Sequence, residues 1–269
     1  LAQRRQRMRG INQLTAHLRF ILLGRDIVPA LTVSAQPSKV EQAQAIQVSA
    51  TAKSKELVKQ CNRSASYDIY LSGIHTGTME RTENWQGKTA VVTSSSKASI
   101  LGIGTRYEQR AELSWSTKTD EWLTDEFHQK VTGFRARDMQ VSFSNNGRDT
   151  EVDIDGDIDH YHSKAIALRD VDTLAIQMRH FLLQGRTQFA LVRQASDAIE
   201  PYQLYVKQQQ TANMEPWGEL TLIPVKQTGA EEVTYYFAPE LDYQLVKARY
   251  HGIILQGLIE LNAYSSTCE

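Results

Sequence analysis

Glu151, Asp153, Asp155 and Asp157 recur every second residue, with Gly156 inside the run and His162 downstream. Acidic oxygens at positions 1, 3 and 5 followed by a glycine at 6 are what a calcium-binding loop supplies. Position 12, where such a loop places a bidentate glutamate, is His162, and no helical pattern precedes the segment. The same spacing, continued through Asp159, would put every carboxylate on one face of a single extended strand, with Val152, Ile154 and Ile158 on the other. A solvated strand face is therefore the expectation, and a calcium site is the alternative.

His160 and His162 would share a face of that strand and offer two imidazoles to a transition metal, but the sequence specifies no third ligand. The chain contains no Gly-x-Ser-x-Gly elbow, no His-Glu-x-x-His pair and no Walker loop. Gly102-Ile103-Gly104 lacks the third glycine and the strand–helix setting of a dinucleotide loop, and reads as a turn. No catalytic residue and no cofactor is expected, and the chain is expected not to be an enzyme.

The elements that must position these residues are mostly strands. Apolar and polar residues alternate in short segments from Ser66 to Tyr264, beginning with Tyr67–Leu71 before Ser72-Gly73. Thr76–Arg81, Thr89–Ser94, Tyr107–Ser116, Trp122–Val131 and Met139–Phe143 follow. Asn146-Gly147 favours a type I′ hairpin turn into a strand over Thr150–Ile158. Further strands are expected over Phe189–Arg193, Gln203–Gln209, Trp217–Val225, Glu232–Phe237, Gln244–Tyr250 and Ile254–Asn262. Between the two groups, Val171, Leu174, Ala175, Met178, Phe181 and Leu182 recur at helical spacing. Asp170 or Asp172 can cap the start, and Gly185 stands at the end. About a dozen strands are too many for a flat open sheet. The expected fold is mainly β: an antiparallel meander curled into a twisted, partly open β-barrel with one amphipathic helix at about residues 170–184.

Composition narrows the function classes. In 269 residues, 30 Lys+Arg face 31 Asp+Glu, a formal net charge of −1 that argues against a dedicated nucleic-acid binder. No uncharged apolar run reaches the ~18 residues of a membrane-spanning helix, so the chain is not expected to span a membrane. Residues 1–35 have the order of an export signal: basic Arg4, Arg5, Arg7 and Arg9, then apolar segments, then Val33-Ser34-Ala35. Arg25-Asp26 interrupts the apolar part, which leaves open an amphipathic helix or an N-terminal extension. Residues 36–65, rich in Gln, Ala, Ser and Lys, read as a flexible linker; residues 66–264 as one β-barrel-like domain; and 265–269 as a tail.

Tyr67-Asp68-Ile69-Tyr70 with Gly73 and Gly77, Asp172-Thr173-Leu174-Ala175 with Arg179, and Phe237-Ala238-Pro239-Glu240 leading to Leu245-Val246-Lys247 resemble a bacterial family. It is the family catalogued as domain of unknown function 3108, and the resemblance covers about residues 66–264. It implies an exported envelope protein whose partly open barrel is broadly similar to the lipoprotein-carrier fold, with no established activity and no catalytic residues. Ala175 departs from the serine that the family often has there.

Cys61 and Cys268, the only two cysteines, flank this unit. In an exported chain oxidation is permitted, and a barrel whose first and last strands meet would bring them together as a disulfide. The expected location is the periplasm. Two function classes are in play: a carrier of an apolar or lipid-like ligand in the half-open barrel, and an envelope scaffold or assembly factor with a filled barrel that binds another envelope protein. An enzyme, the third reading, would need a cleft of perturbed ionisable groups.

Overall fold

A computed structural model describes residues 60–100, 103–133, 135–252 and 256–268. The expected export signal and most of the expected linker lie outside the described residues. Eight strands come first: β1 (Gln60–Leu71), β2 (Ile74–Gln86), β3 (Thr89–Ile100), β4 (Ile103–Ser116), β5 (Glu121–Gly133), β6 (Arg137–Ser144), β7 (Asp149–Ile154) and β8 (Asp157–His162). A two-residue strand, β9 (Leu168–Arg169), leads into helix α1 (Val171–Leu183). After it come β10 (Gln188–Gln194), β11 (Ile199–Val206), β12 (Gln210–Met214), β13 (Gly218–Gly229), β14 (Val233–Ala238), β15 (Gln244–His251) and β16 (Gln256–Ser266).

The strands form one large mixed sheet in the order β8-β7-β6-β5-β4-β3-β2-β1-β16-β15-β14-β13-β11-β10-β9, with β12 paired to β13. The first and last strands thus meet in the middle of the sheet, antiparallel, with Ala65 opposite Tyr264 and Ile69 opposite Ile259. Cys61 and Cys268 are joined by a disulfide beside this pairing, closing 207 residues of chain. So many twisted strands cannot stay flat, and the sheet rolls up. It does not close. Where its two ends approach, Leu168 N–H donates to the Gly147 carbonyl at 2.6 Å, and β9 runs parallel to β10.

Alternation decides the inside of the roll. Strand β1 buries Arg63, Ala65, Tyr67 and Ile69, every second residue, as the period of a strand requires. On the β10–β14 side the core is Phe189, Leu191, Tyr202, Leu204, Ile223, Val225 and Phe237, packed on Leu174, Met178, Phe181 and Leu182 of the helix. On the other side Val92, Ala111, Leu113, Phe127, Met139, Val141 and Val152 meet Ile176. Contacts on both sides put α1 inside the roll. Each large apolar side chain buried there contributes roughly 1.5–3 kcal/mol.

Three expectations need correction. Strand β1 starts at Gln60 and β16 ends at Ser266, so the β unit reaches into the segments read as linker and tail. Asn146-Gly147 does not make a two-residue turn: Asn145, Asn146 and Gly147 all have positive φ in a loop over 145–148. Gly147 packs under Ala167 there, where the loop closes on the start of β9. Finally, the single strand over Thr150–Ile158 is a hairpin, β7 and β8. Asp155 (φ 55°) and Gly156 (φ 96°) form its two-residue turn, the conformation a type I′ hairpin demands.

Candidate functional site

Helix α1 is held from both ends and both sides. Asp170 caps its start: one carboxylate oxygen accepts from the Asp172 N–H at 2.7 Å and the Thr173 N–H at 3.2 Å, while the Thr124 hydroxyl of β5 donates to the other at 2.7 Å. At the end, Gly185 N–H donates to the Leu182 carbonyl and Arg186 N–H to the Phe181 carbonyl, a Schellman closure with Gly185 left-handed at φ 71°. Just before the helix, Arg169 is fully buried and donates to the Trp122 and Ala167 carbonyls and to the Glu121 carboxylate, locking β9 against β5.

One face of α1 packs on β5, where Thr173 and Gln177 are wholly buried and Gln177 accepts the Trp122 N–H at 2.7 Å. The face carrying Val171, Ala175 and Met178 looks into a cavity of about 230 Å³ between helix and sheet. Its walls are largely apolar: Met79, Phe127, Met139, Val233, Phe237, Leu245 and Leu258 contribute to them. Val171, 43% exposed, stands where α1 meets solvent.

Two polar clusters share this cavity. In the first, Arg81 donates to the Asp172 carboxylate, to the Asp172 carbonyl at 3.3 Å and to Glu83 at 3.1 and 3.3 Å, and the Ser94 hydroxyl lies 3.3 Å from Asp172. Burial works to lower the Arg81 pKa, but the carboxylates of Asp172 and Glu83 outweigh it and hold the guanidinium charged. Arg179 extends the network, donating to the Asp242 carbonyl at 2.7 Å and its carboxylate at 2.5 Å.

The second cluster lies on the β10–β14 side. Arg193 pairs with Glu200 at 2.7 Å, and the Tyr202 hydroxyl donates to the same carboxylate at 2.5 Å. Glu231, in the loop between β13 and β14, is pushed up to about 7 by burial, with Arg193 pulling it down and Glu200 pushing it further up. Burial also raises the Tyr202 and Tyr235 phenols. The Tyr235 hydroxyl donates to Gln227 at 3.1 Å, and Gln227 in turn to the Glu231 carbonyl at 3.4 Å.

The residues singled out in the sequence are placed elsewhere. Glu151 faces His160 across the β7–β8 hairpin at 3.8 Å; Asp153 accepts the Gly156 N–H at 2.8 Å; and Asp155 accepts the Asp138 N–H at 2.9 Å. These carboxylates and Asp157 therefore belong to a tight turn and an exposed strand face, not to a loop wrapped around a cation, and His162 pairs with Asp149. Among the described residues no group of three or more His, Cys, Asp or Glu converges as a metal site. Gly104 lies in β4.

Several residues that carry the family resemblance do converge. Tyr67, Asp172, Leu174, Ala175, Arg179, Phe237 and Leu245 all line the cavity. The Tyr67 hydroxyl donates to the Leu245 carbonyl at 2.9 Å and accepts from Gln244 at 2.7 Å. Sequence reasoning missed Arg81, Glu83, Arg193, Glu200, Tyr202 and Glu231. Strand parity held a signal for most of them. Phe189, Leu191 and Arg193 share one face of β10, and Glu200, Tyr202 and Leu204 one face of β11, so a charge stands at an inward position on each strand.

No protein-family model matches the chain, and no curated protein matches it. Among solved structures it is similar to the crystal structure of a β-barrel-like protein of domain of unknown function 1849 from Brucella abortus. The TM-score is 0.55 at 10% identity over 79% of this chain and 99% of that one, a likeness of fold between this chain's large, unclosed mixed sheet with its one helix and a β-barrel-like protein.

Proposed function

We propose that this chain is a non-catalytic, exported envelope protein that holds an apolar or lipid-like ligand between α1 and the half-open barrel. The observation that carries this reading is the cavity itself: about 230 Å³ of space with largely apolar walls inside a sheet that its own side chains do not fill. An engineered apolar cavity of ~150 Å³ accommodates benzene, so this space suits a group of ~10 non-hydrogen atoms, the size of a medium-length acyl chain. Membership in the family catalogued as domain of unknown function 3108 would agree with export to the periplasm. So does the Cys61–Cys268 disulfide, a bond that persists in oxidising compartments.

A second reading, an assembly factor acting through protein contacts, draws on β8. This strand ends the sheet, is largely exposed and carries Ile158 at 55% exposure. Native mass spectrometry of the full chain isolated from a cell envelope, with identification of whatever copurifies, separates the two. An adduct identified as a lipid or fatty acid upholds the carrier. Protein without an adduct, which also takes up no added medium-chain amphiphile, moves the function to the β8 edge.

A further inference from the structure

The two polar clusters of the cavity differ in how completely they satisfy themselves. Arg81 places all three of its guanidinium nitrogens on Glu83 and Asp172. Gln194 at the cavity wall is likewise used up, accepting from Thr150 and donating to the Ala195 and Ala198 carbonyls. Arg193 is different: its guanidinium lines the cavity with one terminal nitrogen on Glu200 at 2.7 Å, while its unpaired Nε is sealed away from that space. A guanidinium at the wall of a largely apolar cavity, paired through one terminal nitrogen, is offered to an anionic acceptor brought by something else, and a hydrogen bond to such a charged group contributes about 1.5–3 kcal/mol. Glu231 lines the same end of the cavity, where a protonated carboxyl would donate a second hydrogen bond to that acceptor. Apolar residues Val233, Phe237, Leu245 and Leu258 continue from there along the wall.

We propose that Arg193 and Glu231 form the headgroup subsite for a carboxylate-headed amphiphile, a fatty acid, whose chain runs along the apolar wall beneath α1. This rests on the carrier reading and adds the chemical class of its ligand. A carboxylate accepts from the terminal guanidinium N–H groups of Arg193 and from the Glu231 O–H at once, whereas an alcohol of equal length forgoes the charge-assisted bond. Binding then weakens as pH rises and Glu231 ionises. The charged and titratable groups around Glu231 are Arg193 on β10, Glu200 and Tyr202 on β11, Tyr235 on β14 and Tyr250 on β15. The three phenols are raised and stay neutral through this range, while the Glu231 carboxyl changes charge near neutrality.

The test is isothermal titration of the full chain, stripped of copurifying material, with decanoate and with decanol at pH 6 and pH 8. The expected result is decanoate binding at least ~10-fold tighter than decanol at pH 6, since a hydrogen bond to a charged group is worth that factor or more. Arg193→Gln should bring decanoate down to the level of decanol and leave decanol within about two-fold. Loss of Arg193 leaves Glu200 buried without its cation, so a second variant, Glu231→Gln, keeps the test valid if the first does not fold. In it the affinity for decanoate should become nearly equal at pH 6 and pH 8, where the parent protein loses several-fold. Decanol binding as tightly as decanoate, or an unchanged pH dependence in Glu231→Gln, would overturn the headgroup site while leaving the carrier reading in place. Failure of both amphiphiles to bind the parent protein would overturn both.

Discussion

The Thr150 hydroxyl donates to the Gln194 side-chain carbonyl at 2.7 Å, both residues buried, and so ties β7 to β10 across the gap where the sheet fails to close. The two strands are not ladder neighbours, so side chains do here what backbone pairing does elsewhere in the sheet. Thr150→Val removes the donor and leaves a buried acceptor unpaired. It is expected to destabilise the protein by ~1–3 kcal/mol, read as a lower urea midpoint at unchanged slope. A variant as stable as the parent would mean that the gap is held by other contacts.

The Arg81–Asp172 pair links the first turn of α1 to β2 inside the cavity. Removing one partner of a buried pair strands the other charge, so Arg81→Met is expected to cost ~3–5 kcal/mol. The double variant Arg81→Met with Asp172→Leu should recover much of that loss. Thermal melts of the two single variants and the double one give the coupling energy. Additive losses would show that the pair does not act as a unit.

The disulfide closes a very long loop, and in the chain-entropy model its loss costs up to ~5 kcal/mol. Replacing Cys61 and Cys268 by serine should lower the denaturation midpoint without altering the far-ultraviolet spectrum, because the β1–β16 ladder, from Arg63 opposite Ser266 to Leu71 opposite Gly257, continues inward from this junction and pairs the same strands. An unchanged midpoint would indicate that the ladder alone keeps the ends together.

Glu231 links stability to pH. Its carboxyl is raised from 4.5 to about 7 in the folded protein, so the folded state holds the proton more tightly than the unfolded chain does. The stabilising effect is complete below the unfolded value, is lost progressively between about pH 4.5 and 7, and is absent above. Glu231→Gln should therefore match the parent near pH 4 and exceed it at pH 8, by up to ~3 kcal/mol. Parallel stability curves from pH 4 to 8 would contradict this.

Much of the fold was legible because alternation is a local signal. Tyr67 and Ile69, or Phe127 and Val131, fall on the inward face simply by parity. The helix was equally readable, since Asp170 and Gly185 mark its ends. The β7–β8 turn was not. Acidic residues continue at every second position straight through Asp155, so nothing in the pattern of charge marks the reversal; Gly156 after Asp155 was the turn signal, and the same glycine suited a calcium loop. Strands β9 and β12 are short and take their place from tertiary pairing. The cavity lay further out of reach. Arg193 faces Glu200 across the β10–β11 hairpin and Glu231 follows β13, the next strand of the ladder, so strand pairing gathers these three, and the roll of the sheet around α1 makes the cavity that Arg193 and Glu231 line.

The meeting of β1 and β16 at the centre of the sheet has a kinetic corollary. From that pair outward, one arm runs β2 to β8 through hairpin after hairpin, and the other runs from β15 back to β9 through connections nearly as short. Almost all of the chain-closure entropy is therefore gathered into a single long-range encounter, whose cost grows only with the logarithm of the intervening length. The arms can organise early and independently, as low-contact-order meanders do. Their docking at β1 and β16 then becomes the slow event, and residues such as Ala65 and Tyr264 the place where changes in sequence should alter the folding rate most.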